Sequence, residues 1–503
     1  MSTIHLLAQG LATALTPHNL LFCIGGATMG IIVGALPGLG CVSGASLLLP
    51  LTFKMDPTTA IITLASLYYG TMFGGAISAI LINMPGDAPA VMTAQDGYPM
   101  AKKGYAGRAL FTAFFSSMVG GLTGAVLLTC LGGPMSLIGL KFGPPEIAML
   151  ILVAMTSIGW ILGESPLKGL VATSLGLLFC CIGVDKMSGL PRLTYGIRNF
   201  LAGFPFIPAC IGMFGMSQVF RTMMEGIHRT INVDTKSISY REALPPAKDF
   251  PRIIKTDFLG APLGFFIGML PGAGATAATF IAYITEKRIQ RKNPEMGKGA
   301  YEGIAICESA NNAASVGAFV PLLSLGIPGS GTTAIIMGGL MMWGLQPGPL
   351  FMSENPQFSW ALIASFFTGD LICVLICLTC IPLFARLLKL PNTILIPIII
   401  CLSIMGTYCV NNSLFDVMFM IMMGVAGYIF NYMGIPQAPI SLALILGPIL
   451  EMSFRQSMTI SNGDITIFIK RPISLTLLIV GVVFVLLPVI AGFLQRIVKP
   501  GKA

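Results

Sequence analysis

Gly30-Ile-Ile-Val-Gly34-Ala-Leu36-Pro37-Gly38-Leu39-Gly40 is an apolar run that stops at a Pro-Gly pair, and the chain carries it twice. Its echo is Gly264-Phe-Phe-Ile-Gly268-Met-Leu270-Pro271-Gly272-Ala273-Gly274, identical at six of eleven positions and 234 residues further on (264 − 30). A second Pro-Gly pair closes a later apolar run in each half: Asn83-Met84-Pro85-Gly86-Asp87 and Gly326-Ile327-Pro328-Gly329-Ser330. The two breaks lie 48 residues apart in the first half (85 − 37) and 57 apart in the second (328 − 271). A basic loop after Glu286 has room for the difference. Proline lacks an N–H and clashes with the preceding turn, so each pair interrupts a helix. Gly-rich apolar sequence matches itself easily, and G-x-x-x-G alone is a helix-packing pattern. The shared order and near-shared spacing of the breaks point instead to two repeats.

Working outward, the runs that carry these breaks are membrane segments. Of 503 residues, 55% are hydrophobic and 10% charged, against roughly a quarter charged in soluble proteins. That charge density cannot coat a water-soluble globule. Leu371 to Phe384, Thr393 to Met405 and Leu475 to Phe493 carry no charge, and about 20 apolar residues suffice to cross a bilayer as a helix. Barrel strands would alternate apolar and polar residues; these runs are apolar all round. The expected fold is an all-α polytopic membrane protein with about 10–12 transmembrane helices, in two repeats containing Pro-Gly-broken or re-entrant helices.

Spans are expected near 18–36, 57–84, 106–131, 144–162, 165–183, 199–222, 256–270, 301–326, 357–385, 391–410, 412–432 and 472–495. Shorter pieces at 41–53, 273–285, 331–345 and 437–451 read as half-helices turning back inside the protein. Residues 1–225 form the first repeat and 226–255 a basic cytoplasmic linker. Residues 256–503 form the second repeat with a final span and basic tail. Whether the repeats run parallel or inverted stays open at this point.

The net charge of +9 is not a nucleic-acid signal. Lys and Arg mark cytoplasmic loops, and they cluster here: Arg221, Arg229, Lys236, Arg241, Lys248, Arg252 and Lys255; then Lys287, Arg288, Arg291, Lys292 and Lys298; then Arg496, Lys499 and Lys502. Residues 1–53 contain neither. With no basic start and no clear cleavage site, a removable signal peptide is not expected.

Secondary transporters build their sites from discontinuous helices at a repeat interface. A helix that restarts after a break offers free N–H groups and the positive end of its dipole, which suits a carboxylate. The substrate-binding candidates are therefore Pro37, Gly38, Gly40, Ser43, Pro271, Gly272, Gly274, Thr276, Asn311, Asn312, Ser330 and Thr332. The ion-coupling candidates are Asn83, Asp87 and Glu308, with Na+ or H+ as the coupling ion. Ser46, Thr279 and Thr333 lie nearby, and Ser, Thr and Asn also commonly bond between helices with no ligand at all.

Other readings fail. Gly326-x4-Gly331-Thr332-Thr333 lacks the lysine of a phosphate loop. His5, His18 and His228 lie at the terminus and in a loop, so no histidine-based nucleophile or metal site is expected. Cys373-x3-Cys377-x2-Cys380 lies within an uncharged span, where cysteine behaves as a small hydrophobe. No metal, cofactor or disulfide framework is expected, and no enzyme. Other membrane acids include Glu146, Glu164, Asp185, Asp370, Asp416 and Glu451; Asp370 and Asp416 stand out among them, and no ion role is assigned to any.

These residues carry a family resemblance. Gly34-Ala-Leu-Pro-Gly-Leu-Gly40 and its echo, Asn83-Met-Pro-Gly-Asp-Ala-Pro89, Asp96-Gly97-Tyr98-Pro99, and Glu308-Ser-Ala-Asn-Asn-Ala-Ala314 leading to Gly326-Ile-Pro-Gly-Ser330 together resemble the large membrane subunit of tripartite tricarboxylate transporters, the TctA family. The resemblance runs from about residue 20 to about residue 450. It implies an ion-gradient-driven importer of citrate or related tricarboxylates and organic acids in the bacterial inner membrane. It further implies a small membrane subunit and a periplasmic solute-binding protein as partners, and it leaves room for a homodimer. A passive organic-anion channel is the alternative.

Overall fold

Helices begin where the sequence caps them. Thr16 accepts from the Asn19 N–H and Asp56 from those of Thr58 and Thr59, and each cap precedes a proline at the first helical position, where a missing N–H costs nothing. The computed structural model describes residues 3–36, 39–161, 166–185, 187–225, 244–270, 274–290, 295–387 and 392–483. Pro37, Gly38, Glu164, Pro271, Gly272 and most of the expected linker (226–243) lie outside them.

In chain order the helices are α1 Thr3–Ala14, α2 Pro17–Ala35, α3 Gly40–Thr52, α4 Pro57–Ile82, α5 Ala90–Met100 and α6 Ala106–Gly139; a π-helical turn, Ala101–Tyr105, joins the last two. Next come α7 Pro144–Ile161, α8 Pro166–Cys180, α9 Phe206–Cys210 and α10 Ser217–Glu225. Then follow α11 Phe250–Gly268, α12 Gly274–Ile289, α13 Tyr301–Gly317, α14 Phe319–Leu325, α15 Gly331–Met342 and α16 Phe351–Glu354. The last are α17 Pro356–Leu387, α18 Asn392–Asn411, α19 Leu414–Tyr432, α20 Gln437–Ile460 and α21 Ile467–Lys470. A two-stranded antiparallel hairpin, β1 Gly183–Val184 with β2 Pro191–Arg192, follows α8.

The fold is that of an all-α polytopic membrane protein. Among the described residues, six helices are long and apolar enough to cross a bilayer, and six shorter apolar helices accompany them. Several expectations shift. The piece expected at 437–451 is part of the 24-residue helix α20. Its polar second half reads as an end in sequence, but Glu451 and Arg455 find ion-pair partners and the helix continues. The span expected at 199–222 is broken into a 3-10 turn, α9, a π-helical segment and α10. The span at 301–326 divides between α13 and α14, just ahead of Pro321. Helix α1, 12 residues long, is too short for a spanning-length reading to register,.

The chain forms two compact units. The first takes residues 1–137 and 207–429. Its core holds α4, whose side chains are nearly all buried, packed on α2 and α17, together with α13 packed on α11 and α12. The second unit takes residues 138–206 and 430–503. In it α20 packs against α7 and α8, and ion pairs among the described residues tie it together. Arg192 forks onto Glu451 (2.7 and 3.1 Å), Arg455 bridges Glu451 and Asp185, and Arg471 pairs with the buried Glu146 at 3.1 Å.

Candidate functional site

Glycine spacing positions the site. Gly26, Gly30 and Gly34 of α2 lie against the backbone of Thr63, Leu67 and Thr71 of α4, while Gly70 and Gly74 of α4 return the contact to Ala27 and Ile31. No side chain separates these helices. Small residues at this spacing let membrane helices meet backbone to backbone. In the second half Gly260, Gly264 and Gly268 of α11 meet Ile306, Ala310 and Ala314 of α13 in the same order. The first helices match at the 234-residue offset, and the second at 243 (310 − 67, 314 − 71). That nine-residue difference equals the one between the spacings of the breaks.

Each half thus runs helix, break, short helix, long helix, break, short helix. Gly40 and Gly274 start the short helices α3 and α12 with φ of 62° and 57°, a left-handed conformation that a side chain would strain,. Within each half the glycine that opens the short helix after the first break lies beside the second. A Cβ on Gly40 would lie 3.1 Å from Oδ1 of Asp87, and one on Gly274 would lie 3.8 Å from Cβ of Ser330. Asp87 and Ser330 correspond at the 243-residue offset (330 − 87).

The two halves use these positions differently. Asp87 brings a carboxylate to the start of α3, where the Cys41 N–H donates to it at 3.3 Å and its neighbour Ala88 N–H at 2.9 Å. Ser330 is neutral. It caps α15 in a reciprocal box with Thr333, and its hydroxyl lies 3.3 Å from the hydroxyl of Tyr68 on α4. Thr332 also faces Tyr68. Across the halves, α3 packs on α15, with Phe53 edge-on to Trp343 at 6.3 Å, and α12 packs on α5. The starts of four short helices, α3, α5, α12 and α15, thus belong to one cross-paired arrangement.

The remaining candidates divide. Ser43 is buried and donates to the Phe214 carbonyl at 3.2 Å. Thr276 is half-buried, in the first turn of α12. Asn83 is exposed and ends α4 in the left-handed conformation (φ 54°), a position Asn tolerates. Asn311 and Asn312 are buried in α13, and the side-chain oxygen of each has no partner among the described residues. The Asn312 amide donates to the Glu308 carbonyl at 3.1 Å. Glu308 is fully buried; one carboxylate oxygen accepts from the Thr93 hydroxyl of α5 and the other from Ser117 of α6 at 2.9 Å.

Sequence reading did not find Thr93 or Ser117, since hydroxyls at those positions carry no signal until three helices converge. It also passed over the role of Asp96. One oxygen of that buried carboxylate accepts from the N–H groups of Gly297 (2.8 Å), Gly299 (2.9 Å) and Ala300 (2.8 Å), and the other from the Tyr283 hydroxyl (2.9 Å). Asp96 therefore fastens the loop between α12 and α13 to α5. Asp257, another acid not singled out, is fully buried on α11 with both oxygens unpartnered among the described residues. Asp185, Glu146, Asp416 and Glu451 all have structural partners. Outside the spanning segments, the Met187 N–H, the Ser188 hydroxyl and the Arg455 guanidinium hold the Asp185 carboxyl well below the usual range,.

Two curated proteins resemble this chain in sequence. A chain from Agrobacterium vitis, described as an uncharacterised 52.8 kDa protein in the TAR-I ttuC' 3' region, is 39% identical over 492 residues, which is 97% of each chain. Another from the same organism, described as an uncharacterised protein in the TAR-II ttuC' 3' region, is 40% identical over 233 residues, 46% of this chain and 96% of that one. No solved structure matches. The model of the tripartite tricarboxylate transporter TctA family matches residues 20–442, a stretch that holds both copies of the break motif and the Glu308 cluster. On that match this chain belongs to the TctA family and is a multi-pass membrane subunit of a tripartite tricarboxylate transporter.

Proposed function

We propose that this subunit imports a tricarboxylate or related organic acid by alternating access, driven by a Na+ or H+ gradient, after delivery by a periplasmic solute-binding protein. A small membrane subunit completes the carrier in the bacterial inner membrane, and citrate is the first substrate to try. The carrying observation is the pairing of Gly40 with Asp87 and of Gly274 with Ser330, which puts two helix starts together in each half. Each helix start contributes the equivalent of about half a positive charge. Substrate carboxylates would meet N–H donors and the hydroxyls of Ser330 and Thr332, with no permanently buried cation in the way.

Two repeats of opposite orientation suit this reading. The start of α2 follows a stretch without Lys or Arg, while α11 starts beside Arg252 and Lys255, so the corresponding helices start on opposite faces by charge,. The packed pair α5 and α12 ends in basic stretches, at Lys102 with Lys103 and at Lys287 with Arg288; past the pair α3 and α15 the cation near at hand is Lys54. An inverted pair gives two states by exchanging the conformations of its halves.

The test is uptake of labelled citrate and other carboxylates into proteoliposomes holding the complete carrier, with and without the binding protein, under imposed Na+ or H+ gradients. Accumulation that requires both supports the reading. Equilibration indifferent to both assigns the channel instead.

A further inference from the structure

Asp370 lies near the middle of α17, the 32-residue helix Pro356–Leu387, and is fully buried. Neither carboxylate oxygen has a hydrogen-bond partner among the described residues. The group fits there because residue 121 on α6 is glycine: a Cβ at Gly121 would lie 2.7 Å from the Asp370 carboxyl carbon. Each nearby hydroxyl donates elsewhere. Tyr69 of α4 donates to the Gly121 carbonyl at 3.3 Å, Ser66 of α4 to the Ile62 carbonyl at 2.7 Å, and Thr368 to the carbonyls of Ala364 and Ser365.

Among the described residues no cation stands in for the missing donors. Helices α1, α2 and α4 carry no Lys or Arg, and their histidines, His5 and His18, lie in their first turns. Arg108 of α6 is 13 residues from Gly121, about 20 Å along the helix. The titratable groups facing Asp370 are Tyr69 of α4 and Cys373 one turn on, with Cys23 of α2 beyond Cys373. An unpaired carboxylate at membrane depth costs several kcal/mol, and such an acid is a functional site by default. A hard metal cation takes several oxygen ligands, and here the neighbouring hydroxyls are turned onto backbone carbonyls. A proton needs none.

We propose that Asp370 is a proton-binding site and that the carrier couples import to the proton gradient through it, an inference that rests on the transport reading above. The Asp370 carboxylate takes a proton from the outward-facing side to give the neutral carboxylic acid; once the conformational change exposes the substrate inward, that O–H bond breaks, the same proton leaves on the inward side and the carboxylate is restored. Gly121 and Tyr69 shape a slot that admits the acid without offering it a donor.

The experiment compares the complete wild-type carrier with Asp370→Asn, an uncharged substitution of the same shape. Labelled citrate is the probe, and two readouts are taken. The first is accumulation driven by an inward proton gradient. The second is exchange of external labelled citrate for internal unlabelled citrate at equal pH, which needs no net proton movement. The expected result is that Asp370→Asn keeps its melting temperature and exchanges within about twofold of wild type, while accumulation falls at least about tenfold. Accumulation by the variant equal to wild type overturns the proposal, as does wild-type accumulation on Na+ alone. Failure of Asp370→Asn to fold overturns it too, because the neutral side chain should suit this site. A wild type that neither exchanges nor accumulates any carboxylate overturns the transport reading itself, a separate result.

Discussion

The backbone-to-backbone packing of α2 on α4 makes a sharp prediction for Gly34→Ala. The added methyl carbon would lie 2.7 Å from Cα and 2.8 Å from the carbonyl carbon of Thr71. Carbon atoms prefer about 3.5–4.0 Å, so the helices must part by about 1 Å along a seam where Gly26, Gly30, Gly70 and Gly74 make the same close contact. Overpacking costs about 1–3 kcal/mol. The upper value applies here, because the obstructing atoms are backbone and no rotamer change relieves them. Replacing Gly by Ala in a helix returns about 1 kcal/mol, for a net loss of about 2 kcal/mol. Gly25→Ala is the control on the same helix. Nothing lies within 4 Å of its Cβ position, so it keeps the propensity gain of about 1 kcal/mol. The two variants should differ by about 3 kcal/mol, roughly a hundredfold in the folding equilibrium. Denaturing-detergent titration of the purified chain in mixed micelles, followed by tryptophan fluorescence, measures the difference. Equal stability of the two variants would refute the reasoning. Gly268→Ala extends the test to the second half, where the added carbon would lie 2.6 Å from Cα of Ala314. Its loss should match that of Gly34→Ala to within about 1 kcal/mol if the halves pack alike.

Three other expectations follow from the polar clusters. Thr93→Ala and Ser117→Ala each remove a donor to the Glu308 carboxylate and should each destabilise by about 1.5–3 kcal/mol; in a cycle with Glu308→Gln, zero coupling energy would contradict the geometry. Asp96→Ala removes the acceptor of three loop N–H groups, so limited trypsin digestion should cut faster at Lys298, and an unchanged rate counts against the clasp. Asp185 has a folded pKa below its unfolded value. Its contribution is therefore complete above the ordinary Asp value of about 3.9 and is lost as pH falls from there through the folded value. Hydrogen-exchange protection over 183–204, the rate taken relative to the intrinsic rate at each pH, should fall in that acid window and stay flat above it, and Asp185→Asn should remove the dependence.

Much of this protein was legible in the sequence because bilayers impose simple rules. A span of about 20 uncharged residues has one stable backbone solution, so the all-α membrane fold followed from composition and run length. Pro and Gly act locally, so breaks such as those ending α4 and α14 were readable from single residues. The start of α1 and the extent of α20 were not. One is shorter than any spanning template, and the other continues through charges that are tolerated only because Arg192 and Asp185 reach them from elsewhere in the chain.

The site divides along the same line. Sequence alone identified Asp87, Glu308 and Ser330 as unusual, since each sits where an apolar run is interrupted. Which groups they meet was decided by packing over long separations: Cys41 reaches Asp87, Tyr68 reaches Ser330, and Thr93 with Ser117 reaches Glu308. Asp370 shows the limit most plainly. In the sequence it stands out with Asp416 as an acid within an apolar span, and nothing there gives it an ion role. Only the tertiary structure separates it from Glu146 and Asp416, which have partners, because the cost of a buried charge depends on the neighbours that other helices bring.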